Sequence, residues 1–281
     1  MFQISHSITY EYAQPVTLLP HKLRLRPQSN GQQSVTQFIL QISPTPLKMV
    51  DVRDLDGNDI LQVWFESVPT QKLQIRSQVQ VISDLSAPFE YLLEPWAVKL
   101  PIDYPHSTWQ RLQPYLQGYL GEAIDSVASQ LGAEIWAEHQ HIGNFLNALN
   151  QTIYQSCGYV LRPDGLPWPP GVTWSQKSGS CRDFAVLFME VCRSVGIAAR
   201  FVSGYEAGVE AIDRYLHAWV EVFLPGAGWR GYDPTHGLVV ADDHIVLATA
   251  PRQQQTMPVE GQVQGKIVTE TMTDQLLIQK S

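Results

Sequence analysis

Apolar and polar side chains alternate over residues 73–81, and this nine-residue pattern predicts a β-strand with one buried face. Earlier in the chain, Asp56-Gly57-Asn58 predicts a hairpin turn between extended segments at 49–53 and 60–65. Such patterns bury one face of a sheet against a second layer. Residues 1–85 are therefore predicted to form an antiparallel β-sandwich of about six or seven strands.

The periodicity changes in the second part of the chain. Four prolines between residues 86 and 106 predict a connector. Further elements follow in this order: helices at 107–117, 121–131 and 134–155, a Pro/Gly/Trp-rich loop at 162–174, a helix at 181–195, a strand at 198–206, a hairpin at 215–235 and a tail with β patterns at 238–248 and 263–279. We predict an irregular loop that packs over another part of the protein, because exposed tryptophans are costly. The fold class predicted is α+β, with domains at 1–100 and 101–281.

Composition limits the possible classes of protein. Hydrophobic residues make up 44% of the 281 residues and charged residues 16%, which excludes global disorder. The net charge of −8 argues against general binding to nucleic acid or to an anionic membrane. Apolar stretches are shorter than the ~20 residues of a membrane span. Three cysteines are too few for a disulfide scaffold, and the first residues lack a basic region followed by an apolar block, so we expect a reducing, cytoplasmic location.

The segment around Cys181 carries the most informative pattern. Apolar residues with helical spacing predict an amphipathic helix that ends at Gly196, and Ser180 and Asp183 have capping-box spacing. Cys181 is then the first helical residue, beside backbone N–H groups that lack acceptors and at the positive end of the helix dipole. This place favours the thiolate, and the same N–H groups would bind an oxyanion. The alternative is a small residue that only packs at the helix start.

The other two cysteines are poor candidates for a nucleophile. Cys192 lies about 16 Å further along the same helix, by helix geometry, and is predicted to be part of the core. Cys157 lies in an irregular turn with no evident base.

A histidine and an aspartate lie on the two strands of the predicted hairpin at 215–235. His217 precedes Asp233, which could accept the Nδ1–H of the imidazole. In the simplest register Asp233 opposes Val220 and points to the other face. Sliding the strands by one residue places it opposite Trp219, diagonal to His217. The hypothesis therefore requires a one-residue offset, or a bulge such as one at Gly231. Otherwise both residues are ordinary strand and turn residues.

Further residues could line a cleft around these three side chains. Ser180 and Trp219 adjoin the candidate nucleophile and base, while Trp168 and Trp174 precede the nucleophile and could equally be core. His236 and His244 follow the hairpin and could approach the cleft.

Metal and cofactor motifs are not found in the sequence. His139 and His141 lie two residues apart in a helical region and point to different faces. The sequence lacks spacing motifs for zinc, calcium and phosphate. We therefore predict no cofactor and no metal site.

At these residues the chain resembles the transglutaminase-like superfamily of papain-type thiol enzymes, in the bacterial form with an N-terminal β domain. The resemblance rests on residues 179–185, 192–205, 217–222 and 228–235, and upstream on 20–27. It implies a core in which the nucleophile helix packs on an antiparallel sheet, with Cys181 as nucleophile, His217 as general base and acid, and Asp233 as its orienting partner. The calcium sites of animal transglutaminases have no recognisable counterpart here.

The resemblance implies attack on an amide carbonyl and a thioester intermediate. Our leading hypothesis is a thiol hydrolase that acts on peptide or isopeptide amides of a peptide or protein substrate, because water is in large excess over any amine unless the site is dry. The second hypothesis is transfer from protein glutamine to an amine. The third is a non-catalytic peptide-binding module.

Overall fold

The computed structural model describes residues 1–119, 121, 123–162, 165–207, 216–265 and 270–280. The strands are β1 (Phe2–Leu23), β2 (Gln33–Ser43), β3 (Lys48–Arg53), β4 (Asp59–Trp64), β5 (Thr70–Ser83), β6 (Gly158–Tyr159), β7 (Ser178–Gly179), β8 (Ala199–Glu206), β9 (His217–Leu224), β10 (Gly228–Asp233), β11 (Leu238–Val239), β12 (His244–Ala250), β13 (Val259–Gln264) and β14 (Glu270–Lys280). The helices are α1 (His106–Leu116), α2 (Ser126–Glu138), α3 (Ile142–Ser156), α4 (Pro170–Gln176) and α5 (Cys181–Ser194). Parts of the predicted elements lie outside the described residues: Glu122, Pro163, Asp164, Tyr215 and residues 266–269.

The long strand β1 organises the first sheet. Residues 2–11 pair with β5 and β14, and residues 21–23 pair with β4 and β13. The pairing with β5 is interrupted between Glu11 and Val16, where the strand passes from one set of partners to the other. Buried side chains from both halves, such as Ile8 and Leu23, share one apolar cluster. The arrangement is antiparallel and sandwich-like, and the predicted hairpin between β3 and β4 is present.

The last two strands, β13 and β14, complete this first sheet by pairing with β1. A further apolar cluster packs Phe2 and Ile4 of β1 against Tyr205 of β8 and Ile245 of β12. The predicted boundary near residue 100 stays a prediction, but strands from both sides of it pair in one sheet. Along the described parts of the chain, no helix is long and apolar enough to cross a membrane.

The second sheet has the order β11-β10-β9-β8-β12, and its neighbouring strands are antiparallel. Helix α5 packs against β8 and β9, and α1, α2, α3 and α4 contact its other sides. All its residues from Asp183 to Arg193 are therefore buried, and the helix is enclosed, not amphipathic with a solvent face. Two of its buried charged side chains make several hydrogen bonds: Glu190 accepts from two backbone N–H groups, and Arg193 donates to three carbonyls through its Nη atoms. The predicted α+β fold, with a helix packed on an antiparallel sheet, is confirmed.

Three predicted segments differ from the structure. The helix predicted at 121–131 spans Ser126–Glu138, because the Asp125 carboxylate caps it by accepting the N–H groups of Val127 and Ala128. The helix predicted at 134–155 begins at Ile142, so His139 and His141 lie between two helices. The predicted loop at 162–174 ends in helix α4, so the expectation of irregular structure throughout is wrong. Pro170 is the first residue of α4, where a proline costs no hydrogen bond.

A buried asparagine joins the first sheet to the second. Asn58, in the turn between β3 and β4, is fully buried. Its Oδ1 accepts from Gln28 Nε2 and from the Thr249 N–H of β12, both at 2.8 Å. Its Nδ2 donates to Thr249 O and to Asp54 Oδ2, also both at 2.8 Å. All four hydrogen-bonding positions of the amide are therefore filled.

We expect Asn58→Ala to lower the free energy of unfolding by about 3 kcal/mol, because several buried groups lose their partners at about 1–3 kcal/mol each. Urea denaturation followed by circular dichroism measures this change. Asn144→Ala, at an exposed position of α3, is the matched control and should change stability by less than about 0.5 kcal/mol. Equal effects of the two substitutions would contradict this role of Asn58.

Candidate active site

One end of the second sheet gathers residues that are distant in sequence. Neighbouring strands run in opposite directions, so the carboxyl ends of β8 and β10 lie beside the amino ends of β9 and β12. Glu206 and Asp233 end β8 and β10, while His217 and His244 begin β9 and β12. The directions of the strands alone therefore bring two carboxylates and two imidazoles to the same end of the sheet.

Cys181 belongs to the helix that packs against this sheet. It lies at the first residue of α5, which packs against β9, and it is one of the groups that raise the pKa of the His217 side chain. Cys181 is partly exposed, whereas Cys192 is fully buried. Burial raises the pKa of Cys192 far above its ordinary value and also raises that of Cys157. Both of these thiols are therefore protonated near neutral pH, as expected for structural cysteines.

His217 and Asp233 are in direct contact. His217 Nε2 lies 2.8 Å from Asp233 Oδ2. The hairpin has the offset register required for this contact: Tyr232 opposes Val220, which leaves Asp233 diagonal to His217. The offset runs through all the described pairs, and Gly231 pairs regularly with Glu221 without a bulge.

The prediction that Asp233 bonds the Nδ1 nitrogen of His217 is wrong. The carboxylate bonds Nε2, not Nδ1, because Asp233 reaches the far side of the ring diagonally from the neighbouring strand. Nδ1 is then the ring nitrogen that does not bond Asp233. The thiol of Cys181 and the carboxylate of Asp233 both raise the pKa of this imidazole.

The charges of this cluster are strongly coupled. Burial acts to lower the pKa of His217, but the charge and hydrogen bond of Asp233, then the hydrogen bond and charge of Cys181, raise it well above its ordinary value. Burial acts to raise the pKa of Asp233, but the charge of His217 and the hydrogen bonds of three histidines hold it well below 3.8. The site therefore favours a charged imidazolium beside a charged carboxylate.

Two further histidines share the same carboxylate oxygen. His236 Nδ1 and His244 Nε2 lie 3.0 and 3.1 Å from Asp233 Oδ2. His236 Nδ1 is also 3.2 Å from a carboxylate oxygen of Glu206. The hydrogen bond to Asp233 raises the pKa of His236. The sequence leaves open whether these two histidines approach the cleft, and it does not indicate Glu206, because no sequence motif connects Glu206 with the hairpin.

A second missed residue, Arg162, holds the loop in front of the nucleophile helix. Its Nη1 lies 2.6 and 2.7 Å from the two oxygens of buried Asp183, and its guanidinium stacks 4.2 Å from the centre of the Trp168 ring. Asp183 also accepts the Trp168 N–H, and it forms the capping box with Ser180. The loop therefore packs over the start of α5, as the sequence predicted.

The four residues predicted to line a cleft have different environments. Trp219 is fully buried beneath the His217 ring, with 6.1 Å between ring centres, so the prediction that it lines the cleft is wrong. Gly204 on β8 makes room for it, because an added Cβ would overlap the indole. Ser180 is also buried, as the helix cap. Trp168 and Trp174 are half-buried, so their place along a cleft stays a prediction.

We expect Asp183→Asn to lower the free energy of unfolding at pH 7 by about 3 kcal/mol, because it leaves Arg162 without its partner. The pKa of Asp183 is lowered in the folded protein: burial acts to raise it, but hydrogen bonds from Arg162, Ser180 and Trp168 outweigh burial. Its stabilising contribution is therefore complete above the ordinary value of 3.8 and is lost as pH falls through the lower folded value.

Urea denaturation at a series of pH values from 7 to 3 tests this expectation. The difference between wild type and Asp183→Asn should shrink towards the acidic end. A difference that stays constant over the whole series would contradict it. Glu134→Gln, an exposed position of α2, serves as the control carboxylate.

Comparisons with known proteins agree with this architecture. Residues 2–82 match the bacterial transglutaminase-like N-terminal region, and residues 129–234 match the transglutaminase-like superfamily. An uncharacterized protein of Mycobacterium tuberculosis is 26% identical, over 92% of this chain and 86% of that protein. A protein-glutamine gamma-glutamyltransferase of Pseudomonas aeruginosa is 30% identical, over 80% of this chain but 35% of that protein.

A solved structure from Cytophaga hutchinsonii, described as a candidate cysteine protease, has the same fold. It superposes with a TM-score of 0.75 at 18% identity, over 100% of this chain and 91% of that chain. The two matched regions follow one another in the chain as the β sheet and the helix-on-sheet core do in the structure. The chain therefore belongs to the transglutaminase-like superfamily, in the bacterial arrangement with an N-terminal β region before the core.

Proposed function

We propose that this protein is a cysteine-dependent acyl-transfer enzyme that hydrolyses amide bonds of a peptide or protein, either peptide or isopeptide. Cys181 is the nucleophile, His217 the general base and acid, and Asp233 the group that orients the imidazole. The observation that carries the proposal is the contact of 2.8 Å between His217 Nε2 and Asp233 Oδ2, together with the influence of Cys181, at the start of α5, on the pKa of the same imidazole.

The first half of the reaction forms a thioester. His217 Nδ1 takes the thiol proton, and Cys181 Sγ forms a bond to the amide carbonyl carbon. The oxyanion that develops is stabilised by the backbone N–H of Cys181, at the positive end of α5. The same His217 then gives its Nδ1 proton to the departing amine as the C–N bond breaks. Asp233 keeps the ring oriented and stabilises its positive charge throughout.

The second half of the reaction consumes the thioester. Cys181 is partly exposed, so water reaches the acyl carbon. His217 takes a proton from the attacking water and returns it to the sulfur as the C–S bond breaks, which releases the acid and restores the thiol. Water is abundant, so hydrolysis is favoured wherever the acyl group remains wet.

Transfer to an amine is the second candidate function. The relative from Pseudomonas aeruginosa that is named a protein-glutamine gamma-glutamyltransferase supports it. The chemistry is the same up to the thioester, and an amine then replaces water as the attacking group. The substrate of the first half would be the side-chain amide of a glutamine.

A mutation series tests the assignment of roles. Cys181→Ala should abolish turnover of an amide substrate, because no nucleophile remains, and His217→Ala should be comparably severe. Asp233→Asn should lower kcat by at least about a hundredfold, since it orients the base and does not itself attack. Steady-state rates, with circular dichroism to check folding, measure these effects. Turnover that survives in folded Cys181→Ala would overturn the mechanism.

Mass spectrometry with a peptide library and an added amine distinguishes the two reactions. Products that gain water indicate hydrolysis, and products coupled to the amine indicate transfer. We expect mainly the former. A Cys181 that does not react with an alkylating reagent at neutral pH, together with no product of either kind, would favour a non-catalytic binding module.

A further inference from the structure

Two side chains at the candidate active site have no part in the proposed reaction. Glu206 and His236 lie where His217 Nε2 meets Asp233: Glu206 approaches Nε2, and His236 shares Asp233 Oδ2 with it. Glu206 Oε2 is 3.7 Å from His217 Nε2, and Glu206 Oε1 is 3.2 Å from His236 Nδ1. Thus two imidazoles and two carboxylates face one another.

The spacing of these four groups fits a metal ion. One ligand atom from each of Glu206, His217, Asp233 and His236 lies within 4.8 Å of all the others. A tetrahedral zinc ion with bonds of about 2.0–2.2 Å separates its ligand atoms by about 3.3–3.5 Å. Four of the contacts among these groups are 2.8, 3.0, 3.2 and 3.7 Å, and no separation exceeds 4.8 Å, so side-chain shifts of about an ångström suffice.

We propose that Glu206, His217, Asp233 and His236 form a zinc site, and that bound Zn²⁺ holds the enzyme inactive. The inhibition rests on the proposed function, whereas the binding does not. This proposal departs from the prediction of no metal site. Its ligands come from three strand ends and a turn, so they share no spacing motif in the sequence.

The surroundings of the four side chains are suited to a divalent ion. Two carboxylates neutralise its charge, and imidazole with carboxylate is a ligand set that zinc accepts. Asp233 is held by further bonds, from the Thr235 N–H to Oδ1 and from His244 Nε2 to Oδ2. Such bonds fix the direction of a ligating carboxylate. In addition, three imidazoles approach the single Oδ2, which has two lone pairs, and a metal ion would relieve this crowding.

Zinc at this position would remove the base from the reaction. When the metal binds His217 Nε2, the neutral ring keeps its one proton on Nδ1, the nitrogen that takes the thiol proton in the proposed reaction. That nitrogen then has no lone pair for the thiol proton. Asp233, now a ligand, no longer stabilises an imidazolium. The thiol itself stays uncoordinated, which separates this site from direct capture of zinc by a cysteine.

Zinc binding is measured on the whole chain by isothermal titration and by competition with a chromogenic zinc chelator. We expect one equivalent of Zn²⁺ to bind wild type, and Cys181→Ala to bind it equally well. Glu206→Gln and His236→Ala should each weaken binding by at least about tenfold. Glu134→Gln and His106→Ala, at exposed positions of α2 and α1, are the matched controls. Circular dichroism verifies that each variant is folded.

Several results would overturn the zinc site. Loss of binding in Cys181→Ala would place the metal on the thiol instead. Unchanged binding in both Glu206→Gln and His236→Ala would place it elsewhere, and no binding to wild type would exclude it. Ca²⁺, which prefers a shell of oxygen ligands, should not compete.

The inhibition is tested separately with an active amide substrate. Zn²⁺ should inhibit wild type at the concentration at which it binds, and a chelator should restore the rate. Glu206→Gln should require at least about tenfold more zinc for half inhibition. Zinc that binds without inhibiting would overturn the inhibitory role. Absence of turnover with every substrate would count against the proposed function and leave the binding result standing.

Discussion

The buried carboxylate of Asp233 is the group on which the candidate site depends. A charge without solvent is costly unless donors surround it, and Asp233 has three imidazoles and one backbone N–H within hydrogen-bonding distance. These donors come from β9, β12 and the turn after β10, so the carboxylate ties three segments together. The same contact holds the Nε2 side of the His217 ring and leaves Nδ1 as the nitrogen that does not bond Asp233. The hydrogen bonds of Asp233 therefore both hold these segments together and position the imidazole of His217.

Local patterns in the sequence were sufficient to predict the elements that carry the site. The spacing of apolar residues identified α5 with Cys181 at its start, and alternation identified the hairpin of β9 and β10. The condition that the hairpin be offset by one residue followed from the need to bring Asp233 near His217, and the register of the strands satisfies it. These features depend on periodicity and on turn residues, which act over a few residues.

Other features depend on contacts between distant segments, and no local pattern reports them. Glu206 belongs to the cluster because β8 lies beside β9, and Arg162 because its loop folds back on α5. Asp233 bonds Nε2 and not Nδ1 of His217, and this depends on the diagonal placement of the two residues on β9 and β10. The enclosure of α5 on all sides is not visible in the sequence for the same reason: Glu190 looks like a solvent-facing residue until its bonding partners are known.

The pairing of β1 has a consequence for how the protein folds during synthesis. Residues 2–11 are synthesised long before β14, which is one of their two neighbouring strands. Until β14 is made, β1 exposes an unpaired edge, and such edges invite pairing with other chains. The first sheet of a nascent chain is therefore complete only after β14 has been made, and truncation before residue 270 should favour aggregation.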